Sequence, residues 1–142
     1  MTDVFAPSQR SRIMARVKGK NTRPEIRVRS LLHRLGYRFR LHRKDLPGTP
    51  DIVLPGRRTV VFVHGCFWHQ HPGCKQATRP VANAAYWNEK LDRNMARDAR
   101  HIHALGALGW KTIIVWECEL KDIAALERRL IEELGVRLAS GV

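Results

Sequence analysis

The sequence lacks any long hydrophobic run, and no stretch approaches the roughly 20 apolar residues that a membrane-spanning helix requires. Its first residues, Met1 to Ala6, also lack the charged and then apolar layout of a secretory signal peptide. No repeat, low-complexity segment or linker divides the 142 residues. We therefore expect a cytoplasmic protein that has no membrane partner and forms one domain over residues 1–142.

Acidic residues are scarce. The chain has 13 Asp and Glu against 26 Lys and Arg, which gives a formal net charge of +13 and a pI of about 10.8. Such an excess favours a polyanionic partner, because each phosphate that a cation neutralises releases condensed counterions. A basic protein without a nucleic-acid role is the alternative that charge alone leaves open.

Cysteine is also rare, and the number of cysteines is odd, at three. In a reducing compartment such a set indicates metal binding more than a disulfide framework. Cys66, His71 and Cys74 have C-x4-H-x2-C spacing, and Cys118 follows a predicted strand that a mixed sheet could bring alongside. Three thiolates and an imidazole suit a closed tetrahedral Zn²⁺ site. The alternative is three ordinary buried thiols and a surface histidine.

Apolar spacing and turn residues predict an α/β fold in which helices flank a mixed sheet. Thr22, Pro24 and Glu25 form a capping-box pattern, and the helix that follows ends before Gly36. The other predicted helices are Ser8 to Val17, Asn83 to about Leu108 and Ile123 to Leu134. The predicted strands are Tyr37 to Leu41, Asp51 to Leu54, Thr59 to His64 and Lys111 to Trp116. The second and third strands form a buried hairpin.

This hairpin brings Asp51, at the start of one strand, close to His64, at the end of the other. Phosphodiester hydrolysis uses a divalent cation, and Mg²⁺ prefers oxygen ligands such as carboxylates and main-chain carbonyls. Three side chains that the zinc cluster does not use, Asp51, His64 and His69, therefore predict a nuclease centre. A capping or turn-forming aspartate and solvated histidines are the alternatives.

Pro50-Asp51 resembles the first half of the PD-(D/E)xK nuclease motif. In that superfamily an acidic residue and a lysine lie on the next strand, but the corresponding residues here are Phe62, Val63 and His64. Mg²⁺ is thus left with one protein carboxylate. We expect the main-chain carbonyl of Val63 and histidines to supply the remaining contacts.

Three segments, Ser8 to Met14, Phe62 to His69 and Val115 to Cys118, resemble the very short patch repair (Vsr) mismatch endonucleases. The resemblance covers most of the chain. It implies a restriction-endonuclease-like fold, a variant of the PD-(D/E)xK superfamily, with a structural zinc site. It also implies an enzyme that nicks one DNA strand beside a T:G mismatch and depends on Mg²⁺.

Carried over to this chain, the resemblance makes Asp51 and the carbonyl of Val63 the Mg²⁺ ligands. His69 is then the general base for the attacking water, and His64 assists at the scissile phosphate. A histidine suits the role of base because its ordinary pKa, near 6.5, leaves it largely neutral in the cell. The resemblance also places the Glu25 carboxylate in the active site. The local sequence explains Glu25 equally well as part of a helix cap. The chain departs from the family at two places. Val63 stands in place of a threonine, which spares the backbone ligand, and the extra residue in Pro72-Gly73 changes only the local geometry around the zinc ligands.

Mismatch recognition is predicted to depend on apolar wedges, because a wobble pair stacks less securely and distorts at lower cost. By resemblance the wedges are Phe67, Trp68 and Trp87, with Met14 entering from the other groove. Core packing is the alternative for Trp87. Basic side chains of residues 1–20 and of the long helix would contact phosphates without reading sequence. The candidates are Arg10, Arg12, Arg16, Arg93 and Arg97.

The sequence thus predicts a Mg²⁺-dependent endodeoxyribonuclease that leaves a 5′-phosphate and a 3′-hydroxyl at its nick. The alternatives are a restriction or defence nuclease of the same fold with another target, and a non-catalytic zinc-containing DNA-binding module. The resemblance also implies work alongside mismatch-repair proteins and a cytosine-5 DNA methyltransferase, in the bacterial cytoplasm at the nucleoid. We expect a monomer.

Overall fold

A computed structural model describes residues 21–135 of the chain. The helix expected at Ser8 to Val17, with Arg10, Arg12, Met14 and Arg16, lies outside the described residues. The described helices are α1 (Arg23–Arg34), α2 (Ala84–Ala107) and α3 (Ile123–Leu134). The strands are β1 (Arg40–Leu41), β2 (Ile52–Leu54), β3 (Thr59–His64) and β4 (Lys111–Trp116). Short 3₁₀ helices cover Pro55–Arg57, Lys75–Ala77 and Glu117–Lys121.

The four strands form one mixed sheet in the order β1-β2-β3-β4. The β1–β2 and β2–β3 pairs are antiparallel, as the predicted hairpin requires, and the β3–β4 pair is parallel. Parallel neighbours need a crossover connection, and the chain between β3 and β4 contains α2. The prediction of a mixed sheet flanked by helices is confirmed.

Helices cover both faces of this sheet. On one face α1 and α3 pack against alternate strand residues, and this cluster includes Val28, Leu32, Ile52, Leu54, Val61, Ile113, Val115, Leu126 and Leu130. On the other face α2 and its flanking segments cover the intervening positions through Val53, Val60, Phe62, Leu105 and Trp110. Strand β3 is therefore buried on both sides, which explains its nearly continuous apolar sequence.

Helix α1 begins and ends as its sequence signals indicate. The Thr22 side chain accepts a hydrogen bond from the backbone N–H of Glu25 at 3.4 Å, and Pro24 occupies the first turn. Gly36, just beyond the helix, has φ +89°, a left-handed conformation that favours glycine. The Thr22 cap fixes the N-terminal end of the helix, where Glu25 lies.

The strand predicted at Tyr37 to Leu41 is wrong in its extent, because only Arg40–Leu41 pairs with β2. The backbone N–H of Tyr37 donates to the carbonyl of Leu32, so it closes the end of α1 and is not available to the sheet. The Tyr37 ring is buried and its hydroxyl donates to the carbonyl of Gly135, whereas Leu41 is 39% exposed. The apolar alternation in this segment reflects packing at a helix end more than a strand face.

The turn before Asp51 packs tightly against α2. Gly48 has φ +77°, and a Cβ atom built there would lie 2.9 Å from the ring of His101. Only glycine allows this approach, so it brings the start of β2 close to the middle of α2. Among the described helices none is long and apolar enough to cross a membrane.

Candidate active site and metal-binding cluster

A cavity of about 1040 Å³ opens where β3 ends, between the first turn of α1 and one side of α2. We call it the catalytic cavity. Its walls include the predicted site residues Glu25, Asp51, Val63, His64 and His69. The sheet register explains this meeting, since β2 begins beside the end of β3 and α1 starts above both.

Asp51 immediately precedes β2 and accepts a hydrogen bond through Oδ2 from the backbone N–H of Val63, at 2.8 Å. This contact crosses to the neighbouring strand, which distinguishes Asp51 from a helix cap or a local turn. Burial, together with the negative charge of Glu25, raises the pKa of Asp51 from 3.8 to about 6, although the Val63 hydrogen bond opposes the shift. A nearby cation would favour the ionised form of this carboxylate.

Glu25 is both a helix-cap residue and a member of the site. Its backbone N–H donates to Thr22, while its carboxylate, 1% exposed as a residue, turns toward the cavity. Glu25 Oε2 lies 2.7 Å from Nε2 of His42 and 3.6 Å from Arg29. One ligand atom each from Glu25, His42 and Asp51 falls within 4.8 Å of the others. Both roles that the sequence left open for Glu25 are thus compatible.

His64 and His69 stack on each other, with ring centroids 3.7 Å apart and planes 6° from parallel. His69 Nδ1 lies 2.6 Å from Oδ2 of Asp98, a carboxylate on α2. Burial alone would raise the pKa of Asp98, but the hydrogen bond with His69 and the charges nearby outweigh it and hold the pKa below 3.8. The ionised carboxylate favours the tautomer with hydrogen on Nδ1, so Nε2 of His69 remains an acceptor.

His64 lies deeper than His69. Burial, and secondarily the charge of His69, lower the pKa of His64 from 6.5 to about 3. The ring therefore stays neutral near pH 7. Its Nδ1 is buried without a hydrogen-bond partner among residues 21–135. A buried polar atom of this kind at a cavity wall is a feature of sites that contact a ligand.

Sequence reasoning missed Asp98 and His42. Asp98 is 29 residues from His69 in the sequence, and His42 is 17 residues from Glu25. Neither pairing has a fixed sequence spacing, because each depends on how α1 and α2 pack against the sheet. A weak signal for Asp98 is its position among the cations of α2, where Arg93 and Arg97 are neighbours.

The cysteine cluster, defined as Cys66, His71, Cys74 and Cys118, forms at the adjacent ends of β3 and β4. Its ligand atoms all lie within 4.8 Å of one another, and Cys118 Sγ is 3.4 Å from His71 Nδ1. The loop is folded by backbone hydrogen bonds from His71 to Cys66 at 2.9 Å and from Cys74 to His71 at 3.3 Å. The four residues lie close together, as their spacing predicted, and their arrangement could hold a metal ion.

The predicted wedge residues Phe67, Trp68 and Trp87 form an aromatic cluster whose ring centroids are 5.2 to 5.9 Å apart. Phe67 and Trp68 are half-buried, and Trp68 lines the catalytic cavity. Trp87 is 4% exposed, which fits the alternative of core packing. Contact of these rings with DNA stays a prediction.

One side of the cavity is cationic. Lys90, Arg93 and Arg97 recur along α2 at helical spacing, and all three line the cavity with His101 beyond them. This row, here called the cationic stripe, lies across the cavity from the carboxylates of Glu25 and Asp51. It offers positive charge beside the buried acid–base groups.

Comparison with known proteins identifies the family. The sequence profile of the DNA mismatch endonuclease Vsr family matches residues 2–76. The chain belongs to the Vsr family. It is 59% identical over 130 residues to the Type II nicking enzyme V.XorIIP of Xanthomonas oryzae pv. oryzae, covering 92% of this chain and 95% of that protein. It is 42% identical over 133 residues to DNA mismatch endonuclease Vsr of Escherichia coli, covering 94% and 85%.

The fold of this Vsr-family chain also resembles the catalytic domain of the homing endonuclease I-Bth0305I, with a TM-score of 0.54 and 19% sequence identity. The likeness covers 79% of this chain and 93% of that domain. At this identity it supports the restriction-endonuclease-like fold alone. Together with family membership, the acid–base cavity identifies the protein as an endonuclease that acts on DNA.

Proposed function

We propose that this Vsr-family endonuclease nicks one strand of duplex DNA beside a T:G mismatch in a Mg²⁺-dependent reaction. The observation that carries the proposal is the meeting of Asp51, His64 and the His69–Asp98 pair in one cavity. Relatives named as a mismatch endonuclease and as a nicking enzyme support the same substrate and the same single-strand cut.

The donors fit the cation that the family implies. Carboxylates of Asp51 and Glu25 approach within 4.8 Å at the cavity wall, and hard oxygen donors suit Mg²⁺. Asp51 uses Oδ2 toward Val63, so Oδ1 is the oxygen that would hold the ion, together with the Val63 carbonyl. When bound, Mg²⁺ would supply positive charge that polarises the scissile phosphate.

His69 is the proposed general base. Its Nε2 would accept a proton from the water that attacks phosphorus, while Asp98 holds the ring through Nδ1. Asp98 would also stabilise the imidazolium that forms, as a carboxylate partner does for other catalytic histidines. The bond from phosphorus to the 3′ oxygen then breaks and the leaving oxygen takes a proton from water, which gives a 5′-phosphate and a 3′-hydroxyl.

His64 is proposed to contact the scissile phosphate. A neutral ring has one N–H donor, which can donate to a phosphate oxygen, and the buried Nδ1 has no competing partner among the described residues. Stacking on His69 keeps both rings parallel, so a shift of one would disturb the other. His64 would thus orient the phosphate without exchanging protons at neutral pH.

We propose Zn²⁺ for the cysteine cluster. Three sulfur atoms and one imidazole nitrogen within 4.8 Å match the donor set of a structural zinc site. His71 stacks on Trp116 with 4.2 Å between ring centroids, and this contact helps to orient its ring. The ion would secure the loop that carries Phe67, Trp68 and His69.

Recognition is assigned to the surfaces around the cavity. Phe67 and Trp68 would act as wedges at the mismatch, and the cationic stripe would hold phosphates of the backbone. A role for Trp87 would require it to leave its buried position. Partnership with mismatch-repair proteins and a cytosine-5 methyltransferase, a monomeric state and a place at the bacterial nucleoid stay predictions.

Duplexes that differ at one base pair test the proposal. T:G, T:A and C:G duplexes of otherwise identical sequence, each labelled on one strand at a time, are incubated with the protein in Mg²⁺. We expect a nick on the thymine strand of the T:G duplex alone, with product ends that a ligase requiring 5′-phosphate can reseal. Equal nicking of all three duplexes would favour a nuclease with another target, and binding without nicking of any duplex would indicate a non-catalytic module.

A further inference from the structure

We propose that His42 is a positioning residue that fixes the two carboxylates of the cation site, Glu25 and Asp51. The inference rests on the proposed function, because it concerns the cation held there. His42 touches both carboxylate residues, through its ring and through its backbone.

The ring of His42 provides the short polar contact to Glu25. The Glu25 side chain is 2% exposed, so its carboxylate depends on protein partners for hydrogen bonds. Nε2 of His42 is 2.7 Å from Oε2, whereas the Arg29 nitrogen is 3.6 Å away, beyond normal hydrogen-bond length. The orientation of the Glu25 carboxylate is therefore set mainly by His42.

The backbone of His42 is tied to the other carboxylate residue. Its N–H donates to the main-chain carbonyl of Asp51 at 3.2 Å, one position beyond the β1–β2 pair Leu41↔Ile52. His42 has φ +49°, a left-handed conformation that is uncommon for residues with a side chain. This turn of the chain allows one residue to reach Glu25 on α1 while it remains bonded to Asp51.

His42 acts from behind the site. Glu25 and Asp51 belong to the wall of the catalytic cavity as residues 21–135 form it, but His42 does not. The imidazole would therefore affect the cation indirectly, by holding the carboxylates in place. The His69–Asp98 pair is the reverse arrangement, since there the imidazole faces the reaction and the carboxylate holds it from behind.

Two substitutions separate the ring from the backbone. His42→Asn suits the left-handed conformation, but its amide ends near the position of Nδ1 and stops short of Glu25. His42→Gln carries an N–H donor as far out as Nε2 and should restore the contact. His33→Asn is the matched control, since His33 is exposed on the same helix that carries Glu25.

The first measurement is Mn²⁺ binding by electron paramagnetic resonance, with zinc-loaded protein and no DNA. The second is kcat and KM for nicking of the T:G duplex. For H42N we expect about 10- to 100-fold weaker Mn²⁺ binding and a comparable fall in kcat, with KM for DNA nearly unchanged. H42Q should recover most of both values, and H33N should match the wild type.

Wild-type Mn²⁺ affinity and kcat in folded H42N would overturn the proposal. An H42Q variant that is as impaired as H42N would also overturn the proposal. It would show that the hydrogen bond to Glu25 is not what the His42 ring contributes. If H42N fails to fold, H42Q decides: near-normal Mn²⁺ binding supports positioning and a large loss contradicts it. A wild-type protein that leaves the T:G duplex uncut would contradict the proposed function, while the DNA-free Mn²⁺ titration would still test His42.

Discussion

At the scale of single residues, Asp51 shows how a catalytic group opposes stability. Its pKa is raised to about 6, so the folded state binds the proton more tightly than the unfolded state does. The free energy of unfolding therefore falls as pH rises from about 3.8 to about 6, and the full loss persists above that range. The proposed Mg²⁺ site needs this carboxylate in its ionised form.

Asp51→Asn should consequently stabilise the protein near neutral pH. The amide oxygen can still accept from Val63, and no charge is buried. We expect the free energy of unfolding at pH 7.5, without added Mg²⁺, to rise by on the order of 2 kcal/mol. Urea titrations at pH 7.5 and pH 3.5 measure it, and the gain should vanish at the lower pH. A gain that is equal at both pH values would contradict burial of the charge as its cause.

Asp98→Asn should disable His69 as a base while leaving its ring in place. The amide can present its NH₂ group to Nδ1, which favours the tautomer with hydrogen on Nε2 and takes away the acceptor. We expect the single-turnover nicking rate to fall by about 100-fold, close to the loss in His69→Ala, with DNA affinity unchanged. Glu89→Gln, at an exposed carboxylate on the same helix, is the control for kinetics. Nicking by D98N at the wild-type rate would show that Asp98 does not orient His69.

The sequence predicted that Asp51, His64 and His69 lie close together, because strand ends and a turn between them limit where they can lie, and all three line one cavity. It could not identify His42 or Asp98 as their partners. Those contacts depend on the rotation of α1 and α2 over the sheet, and burial by the whole core fixes that rotation. For Glu25 the helix cap was predictable, because it depends on neighbouring residues. The contact of its carboxylate with His42 was not, because it depends on how α1 packs.

At the scale of elements, the amphipathic helices were predicted well because their caps and spacing are local. Ile123–Leu134 was predicted at its observed bounds, and its N-cap Asp122 accepts from the N–H of Ala125 at 3.1 Å. The extent of β1 was predicted wrongly, because the backbone N–H of Tyr37 bonds to the end of α1 before the chain reaches the sheet. A period-two pattern of apolar residues cannot distinguish these two environments.

The cysteine cluster joins elements that are far apart in the sequence. Cys66 follows β3 and Cys118 follows β4, so one ion would close a long loop of chain. We expect about one Zn²⁺ per purified chain, and on the order of 10 kcal/mol of folding free energy is typical of such sites. Removal by a chelator, or Cys118→Ser, should unfold the loop and abolish nicking. Metal analysis with circular dichroism checks this, and a zinc-free protein with native spectra would contradict the assignment.

Arg79 joins the loop of the cysteine cluster, residues 66–78, to α2. Its guanidinium donates to Gln70 at 2.9 Å, Asn88 at 3.1 Å and Asp92 at 2.7 Å. Gln70 in turn donates to the carbonyl of Phe67, so the contacts extend to the aromatic cluster. Lysine retains the charge but cannot reach three partners in one plane.

Arg79→Lys should therefore lower the free energy of unfolding by about 1 kcal/mol and speed amide hydrogen exchange in residues 66–78. Lys75→Arg, at an exposed position of the same loop, is the control and should leave both unchanged. Exchange in the loop at the wild-type rate in R79K would show that the loop is held by the cysteine cluster and not by Arg79.

At the scale of the whole molecule, charge is divided between two sides of one cavity. The net charge of +13 draws DNA toward the protein, and the cationic stripe is where that charge meets the catalytic groups. In the proposed mechanism Asp51, His64 and His69 then act on a phosphate that the stripe holds. We therefore expect substitutions to separate DNA binding from hydrolysis.

The most direct test of this account is single-turnover nicking of a T:G duplex in Mg²⁺ by Asp51→Ala beside the wild type, with DNA affinity measured in parallel. We predict that D51A remains folded, binds the duplex as tightly as the wild type and leaves it uncut. Hydrolysis by D51A at the full wild-type rate would contradict the assignment of the catalytic cation to this carboxylate.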